Sequence, residues 1–424
     1  MLIPWAPVMA QDPNAGESRA RLTQPSAAIL SDSRGPELES PSSAEICGDC
    51  HRAAHESWKA SGHAHAMDSR LFQDVLHYTE ADLGAAARRT CLGCHSPLAI
   101  ATGDAGLRTK VSWEGVTCDA CHSIREVSMT EPNPKARLEL TRVRTGPWKD
   151  DNPSRHGALF SSLHASSLLC APCHEYRNAL GFPVVTTFSE WQASRDAKDG
   201  RQCQFCHMPG VGRVALVQRV VTTPTDEERH SHCQSCHLAP GASGRGSQAG
   251  QGPAVADPGL RVHGQLNLHE IKGSESTELL TSAIQAKLAA VRDGNKVRVN
   301  VDIANRAAAH YVPTGSPLRQ VILEVRADTD SGQHLLQQRV YRRTVADRDG
   351  TPLDREYLVF ERGAKVIADT RLAPDERRSE TFLFDVPPGV ETRLSVALRY
   401  CYSPLAKTES QRSATFLTLS AVVR

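Results

Sequence analysis

The sequence predicts a mixed fold: a mainly α-helical and irregular region comes first, and an all-β, sandwich-like domain follows. Three observations carry this expectation. Twelve of the 13 Cys lie in six copies of one five-residue frame. Aromatic residues make up only 5% of the chain, few for a large conventional core. Beyond about residue 280, apolar and polar residues alternate with period two, the mark of half-buried strands.

The chain of 424 residues is long enough for two or three domains. Its net charge of +1 gives no strong attraction to nucleic acid or anionic lipid. No apolar run reaches the eighteen or so residues of a membrane span. Residues 1–10, MLIPWAPVMA, read as the remnant of a secretory signal, because Val8 and Ala10 suit the −3 and −1 positions of a cleavage site. They have no basic n-region, and a disordered N-terminus is the alternative. Residues 11–44, rich in Ser, Pro, Gly and charge, read as a flexible leader.

The repeated frame is Cys-x-x-Cys-His. It occurs at Cys47/Cys50/His51, Cys91/Cys94/His95, Cys118/Cys121/His122, Cys170/Cys173/His174, Cys203/Cys206/His207 and Cys233/Cys236/His237. A disulfide framework does not require His after every pair. Zinc knuckles do not require it at a fixed offset either. Covalent haem c uses all three residues: the two thiols form thioethers with the vinyl groups, and the His reaches the iron from the same side. Six copies imply six covalently attached haems and an extracytoplasmic, periplasmic or secreted location. Residues 45–240 therefore form a cytochrome c-type domain in which the macrocycles supply missing apolar area. This half should fold stably only with haem.

Residues 241–275 read as a linker and entry segment; LAPGASGRGSQAGQGPAVADPG is rich in Gly, Ser, Ala and Pro. Residues 276–424 read as the β-sandwich domain. Val297, Val299, Val301 and Ile303 alternate with polar residues, as do Val321, Leu323 and Val325, then Phe382, Phe384 and Val386, and Leu394, Val396, Leu398 and Tyr400. Asp293-Gly294 suits a hairpin turn after SAIQAKLAAV. A helix over 276–291 is an alternative, because Leu280, Ile284 and Leu288 are spaced by four. Cys401 lies in the last-but-one strand and reads as a buried thiol.

The ligand on the far side of each iron separates electron transfer from catalysis. Met67 and Met129 are the reasonable Met candidates; Met208 follows His207 too closely to cross the same ring. The His inventory favours bis-His, low-potential haems. His63 leads, with His65 as its alternative. His156, His164, His232, His263, His269 and His310 are further candidates, with His230 beside the sixth motif. His55, His77 and His334 read as surface residues.

Several segments resemble one family. CGDCHRAAHESWKASGHA, WEGVTCDACHS and LLCAPCHE…FSEWQAS…CQFCHMPG resemble segments of the multihaem cytochromes c related to the tetrahaem carrier of ammonia oxidisers. NRAAAHYVPTGSPLR resembles a segment of the β-domain found in many secreted multihaem cytochromes, with Ala309 in place of the usual Gly. The resemblance spans roughly 45–405. It implies closely paired haems that pass electrons along a chain, and a distal role for His63, to the first haem or another. The sixth motif, RHSHCQSCH, departs from the pattern.

The function expected is electron relay between redox protein donors and acceptors, with no catalytic residue required. One alternative is a reductase or oxidase of a small nitrogen or sulfur compound at an open haem, with Tyr176 and Arg177 as candidate proton-handling groups. Another is a self-assembling subunit of a cytochrome filament or outer-membrane complex.

Overall fold

The computed structural model describes residues 41–129, 132–147, 149, 155–208, 268–406 and 413–424. Cys233, Cys236 and His237, with His230, His232 and His263, lie outside the described residues.

The first half is a string of short helices: α1 Ala44–Gly48, α2 Arg52–Lys59, α3 Arg70–Leu83, α4 Arg88–His95, α5 Pro97–Ala101, α6 Cys118–His122, α7 Ala171–His174, α8 Thr187–Gln192, α9 Arg195–Lys198 and α10 Cys203–His207. Small two-stranded sheets stitch them together. β1 Ile124–Ser128 pairs with β2 Lys135–Leu138, β3 Val143–Gly146 with β4 Gly157–Phe160, and β5 Tyr176–Arg177 with β6 Pro183–Val185. The local apolar clusters here are small; one comprises Met67, Phe72, Leu76 and Leu92.

The Trp-Glu-Gly-Val segment braces this half. Glu114 accepts hydrogen bonds from Ser43 Oγ at 2.5 Å and Ala44 N at 2.9 Å, anchoring the start of α1. Trp58 Nε1 donates to the Val116 carbonyl at 2.8 Å. Asp119 inside the third motif is fully buried and pairs with Arg144, Nε to Oδ1 at 2.5 Å.

The second half contains helix α11 Thr277–Ala283, strands β7 Ile284–Asp293, β8 Lys296–Asn305, β9 Gln320–Thr329, β10 His334–Tyr341 and β11 Arg343–Ala346, helix α12 Glu356–Arg362, and strands β12 Lys365–Asp369, β13 Arg377–Asp385, β14 Thr392–Cys401 and β15 Ser413–Val423. Four strands form an antiparallel sheet in the order β10-β9-β14-β15, and three form another in the order β13-β8-β7. One shared core joins them: Val297, Val299, Val301 and Phe382 from the smaller sheet meet Leu323, Val325, Val396 and Leu398 from the larger. The period-two pattern thus corresponds to sheet faces turned toward a common interior.

Residues 276–291 are neither all helix nor all strand. Ser276 caps α11 by accepting from Leu279 N, and the chain switches to strand at Ile284. The switch follows the pairing of Ile284 with Asn305, which offers the backbone a ladder along all of β8. The expected turn lies at Gly294, with φ 59°, between paired Asp293 and Lys296.

The two halves are joined by their own small core. Phe182, Val184 and Val185 pack with Val345, Leu353 and Val359. Asn178 Nδ2 donates to the Gly363 carbonyl at 2.8 Å, and Tyr357 donates to Asp82 across the junction.

Candidate haem-binding cavity

A continuous cavity of about 2290 Å³ runs between the described residues. It exceeds the roughly 300–1,000 Å³ of a site for one small molecule or cofactor. The Cys and His of all five described motifs line it, together with His55, His63, His65, His156, His164, His269 and His310.

The motif builds its own attachment face. Cys, Cys and His at i, i+3 and i+4 share one side of a helix. The helices α4, α6, α7 and α10 end on His95, His122, His174 and His207. In each of these motifs both thiols and the imidazole therefore present together.

Hydrogen bonds select the tautomer of several imidazoles. Nδ1–H of His95 donates to the Ala66 carbonyl at 2.9 Å, that of His122 to Thr145 at 2.6 Å, and that of His207 to Lys272. His156 donates to Gly157 at 3.0 Å and His310 to Tyr311 at 2.9 Å. Each bond leaves Nε2 with its lone pair, as a metal-binding imidazole needs. Burial lowers the pKa of His51 and His63 to about 4 and that of His174 to about 3, so these rings are neutral near pH 7. His63 Nδ1 is buried without a hydrogen-bond partner.

The motif imidazoles face others across the cavity. The ring centroids of His51 and His156 are 6.0 Å apart; those of His63 and His174, of His122 and His269, and of His207 and His310 are each 6.3 Å apart. With metal–nitrogen bonds of about 2 Å, two imidazoles on opposite sides of one metal have centroids about 6 Å apart. The donor set and spacing fit haem c. His51, His122, His174 and His207 would each hold an iron from one side, with His156, His269, His63 and His310 opposite.

His164 is half-buried and lies beside the Cys121 backbone. Its centroid lies 5.1 Å from that of His122, stacked and too near for a metal between them. His95 differs from the other motif imidazoles. Phe72 stacks flat against it at 3.8 Å, and no second imidazole pairs with it among the described residues.

The remaining candidates separate clearly. His65 is exposed and bonds Asp68. His77 and His334 are exposed, as expected. His55 is not a surface residue: its side chain is 13% exposed, packed beside Gly48 and Trp58. Helix α2 turns it inward, which a count of polar residues does not reveal. Met67 is fully buried among apolar side chains and does not line the cavity, and Met129 is exposed. Tyr176 lines the cavity beside Phe360; Arg177 reaches the Gly181 carbonyl at 3.3 Å.

Thiols from different motifs also meet. Cys47 and Cys118 share a hydrogen bond, as do Cys94 and Cys173, and Cys170 and Cys203. Burial pushes Cys121 up to about 11, so it is a neutral thiol, and it lies near Cys170 and Cys173.

Residues 46–123 match the model of the cytochrome c554 and c-prime family. Among solved structures, a penta-heme cytochrome c552 from Thermochromatium tepidum is similar, with a TM-score of 0.64 and 20% identity over 90% of this chain and 98% of that chain. At that identity the likeness is one of fold. A structural-genomics target described as an ApaA protein from Bordetella pertussis aligns over 33% of this chain and 89% of its own, with 13% identity and a TM-score of 0.18, and carries no argument. No curated protein matches. The family match and the first structure support a multihaem c-type cytochrome, with a helical cytochrome-like region followed by a β-rich one. Among the described residues no helix is long and apolar enough to cross a membrane.

Proposed function

We propose that the chain is a secreted hexahaem c-type cytochrome that relays electrons between redox partners outside the cytoplasm. The observation that carries this reading is the set of four His–His pairs at 6.0–6.3 Å. When bound, haem supplies reversible one-electron Fe(III)/Fe(II) chemistry.

The chain's part is to attach, order and insulate. The five described motifs hold their cysteines against the cavity, and the sixth supplies Cys233, Cys236 and His237. Contacts between motif thiols give a spatial order: the first motif meets the third, the second meets the fourth, and the fourth meets the fifth. Cys121 of the third lies near the cysteines of the fourth. This order suits a relay with the fourth motif as its branch point. Residues 276–424 act as a sandwich domain that closes one wall of the cavity and contributes His310.

A second reading has one specific observation in its favour. His95 has Phe72 stacked on it, and no imidazole partner among the described residues. This favours an open coordination position there, suited to a small nitrogen or sulfur compound, with Tyr176 nearby on the cavity wall.

Spectropotentiometric titration of the purified holoprotein tests the relay. The expected result is reversible one-electron steps at low potential that account for every haem measured as pyridine haemochrome. Haems that do not re-oxidise, or that lie at the high potentials of Met-ligated iron, would contradict it.

A further inference from the structure

The further inference rests on the assignment of His207 and His310 to opposite sides of one iron. His310 comes from the β-rich half, on the loop after β8, whereas His207 ends α10 in the first half. Something must hold that loop over the cavity, and its anchors are specific. Asn305, fully buried, donates from Nδ2 to the His310 carbonyl at 3.0 Å and accepts from Ala308 N at 3.1 Å. Val312 and Leu372 exchange backbone hydrogen bonds at 2.9 and 3.0 Å.

The remaining anchor comes from the opposite half. Glu190, on α8, has a side chain only 6% exposed. Its Oε2 accepts from Tyr311 N at 3.2 Å and from Thr314 Oγ1 at 2.7 Å. Its Oε1 accepts from Thr186 Oγ1 at 2.7 Å and from Arg371 Nη1 at 2.8 Å. Arg371 is itself fixed by Asp369, Nη2 to Oδ2 at 2.8 Å, and lies 4.4 Å above the Tyr311 ring. Thr187 and Thr314 hydroxyls meet at 3.0 Å beside it. One carboxylate thus grips both the residue after His310 and the arginine stacked on that residue's ring.

We propose that Glu190 is a positioning residue for the distal ligand of the fifth motif. It does not touch the iron. It fixes the Tyr311–Thr314 segment, so that His310 stands opposite His207 at the 6.3 Å centroid spacing, with ring planes 18° apart. Through this carboxylate the seating of the β-rich half on the first half determines whether that iron carries six ligands or five. A buried carboxylate with four donors has no slack: losing it leaves the Arg371 charge partly unpaired and frees the loop.

The test uses mature holoprotein carrying Glu190→Ala, Glu190→Gln, Thr314→Val, His310→Ala or Asn178→Ala. Haem content is measured first, then low-spin and high-spin fractions by EPR and magnetic circular dichroism, then imidazole binding. Glu190→Ala should convert one haem's share of low-spin signal to high-spin, as His310→Ala does, and added imidazole should restore it. Glu190→Gln and Thr314→Val should do so in part. Asn178→Ala breaks a different bond of the same junction and should leave spin states unchanged. If Glu190→Ala fails to mature, the near-isosteric Gln and Val variants decide by the same readout. Unchanged spin states in the Glu190 variants, with His310→Ala losing one low-spin haem, would overturn the proposal. Unchanged spin states in His310→Ala would instead overturn the ligand assignment on which it rests.

Discussion

Gly115 lies directly against the carbonyl of His63. A Cβ placed on Gly115 would stand 2.4 Å from that oxygen, and the residue holds φ at 72°. The next residue, Val116, donates its N–H to the same carbonyl at 3.0 Å. The Gly of the Glu-Gly-Val segment is thus the contact that seats His63, 52 positions earlier in the chain, opposite His174.

Gly115→Ala therefore combines backbone strain with a clash against backbone that cannot swing away. The left-handed conformation alone costs a β-carbon residue about 1–2 kcal/mol. The expected outcome is a lower denaturation midpoint together with the loss of one low-spin haem, because the displaced group is the peptide of His63. Measuring both in one variant checks the coupling; a lowered midpoint with every haem still low-spin would show that Gly115 does not seat His63.

The Asp119–Arg144 pair is buried at 0% and 9% side-chain exposure. Asp119 also accepts from Ser42 N at 2.8 Å. Removing one partner of such a pair strands the other charge, typically at about 3–5 kcal/mol. Asp119→Ala should lower holoprotein stability on that scale in urea titration. Lys110→Ala, which removes the exposed pair with Glu45, should leave the midpoint unchanged.

Acid should loosen the junction through Asp369. Burial opposes its ionisation, but the hydrogen bonds and charge of Arg371 prevail and hold its pKa below the usual 3.8. A carboxylate with a depressed folded-state pKa contributes stability above its unfolded-state pKa and loses it as pH falls through the folded-state value. Wild-type stability should therefore fall below about pH 4, and Asp369→Asn should be less stable at pH 7 with a flatter acid limb. Parallel pH profiles of the urea midpoint check this.

Glu356 works in the opposite direction. Burial raises its pKa above 4.5, so the folded state holds the proton more tightly than the unfolded chain does. Its contribution is greatest below the unfolded-state value and fades as pH rises through the folded-state one. Glu356→Gln should then gain stability relative to wild type at neutral pH and lose the advantage in acid.

Much of this arrangement was legible in the sequence, for physical reasons that differ by element. Cys-x-x-Cys-His is read locally, because its chemistry depends on residues one helical turn apart. The period-two runs from Val297 and Val321 point to sheet faces, because only alternate side chains reach the shared core. Pairing is another matter: His63 meets His174, His122 meets His269, and His207 meets His310, each across a long stretch of chain. No local pattern encodes which imidazoles converge, and spacing alone could not separate His164 from His269. Glu190 was visible only as part of a Phe-Ser-Glu-Trp segment; its partners Tyr311, Thr314 and Arg371 lie more than a hundred residues away. His55 differs from the surface reading because its inward turn depends on packing beside Gly48 and Trp58, which its sequence neighbours do not encode. The signal for His95 was available only as an absence of a partner, which requires coordinates.

The most direct test of the account is low-temperature EPR of the oxidised holoprotein before and after nitric oxide, with His156→Ala and His269→Ala as comparisons. The account predicts that the haems held by His51, His122, His174 and His207 are low-spin and do not bind nitric oxide, while each variant converts one haem's share of that signal to a high-spin signal that does bind it. Nitric oxide bound at several haems of the wild type, or low-spin signal undiminished in both variants, would contradict the His–His pairs on which the reading stands.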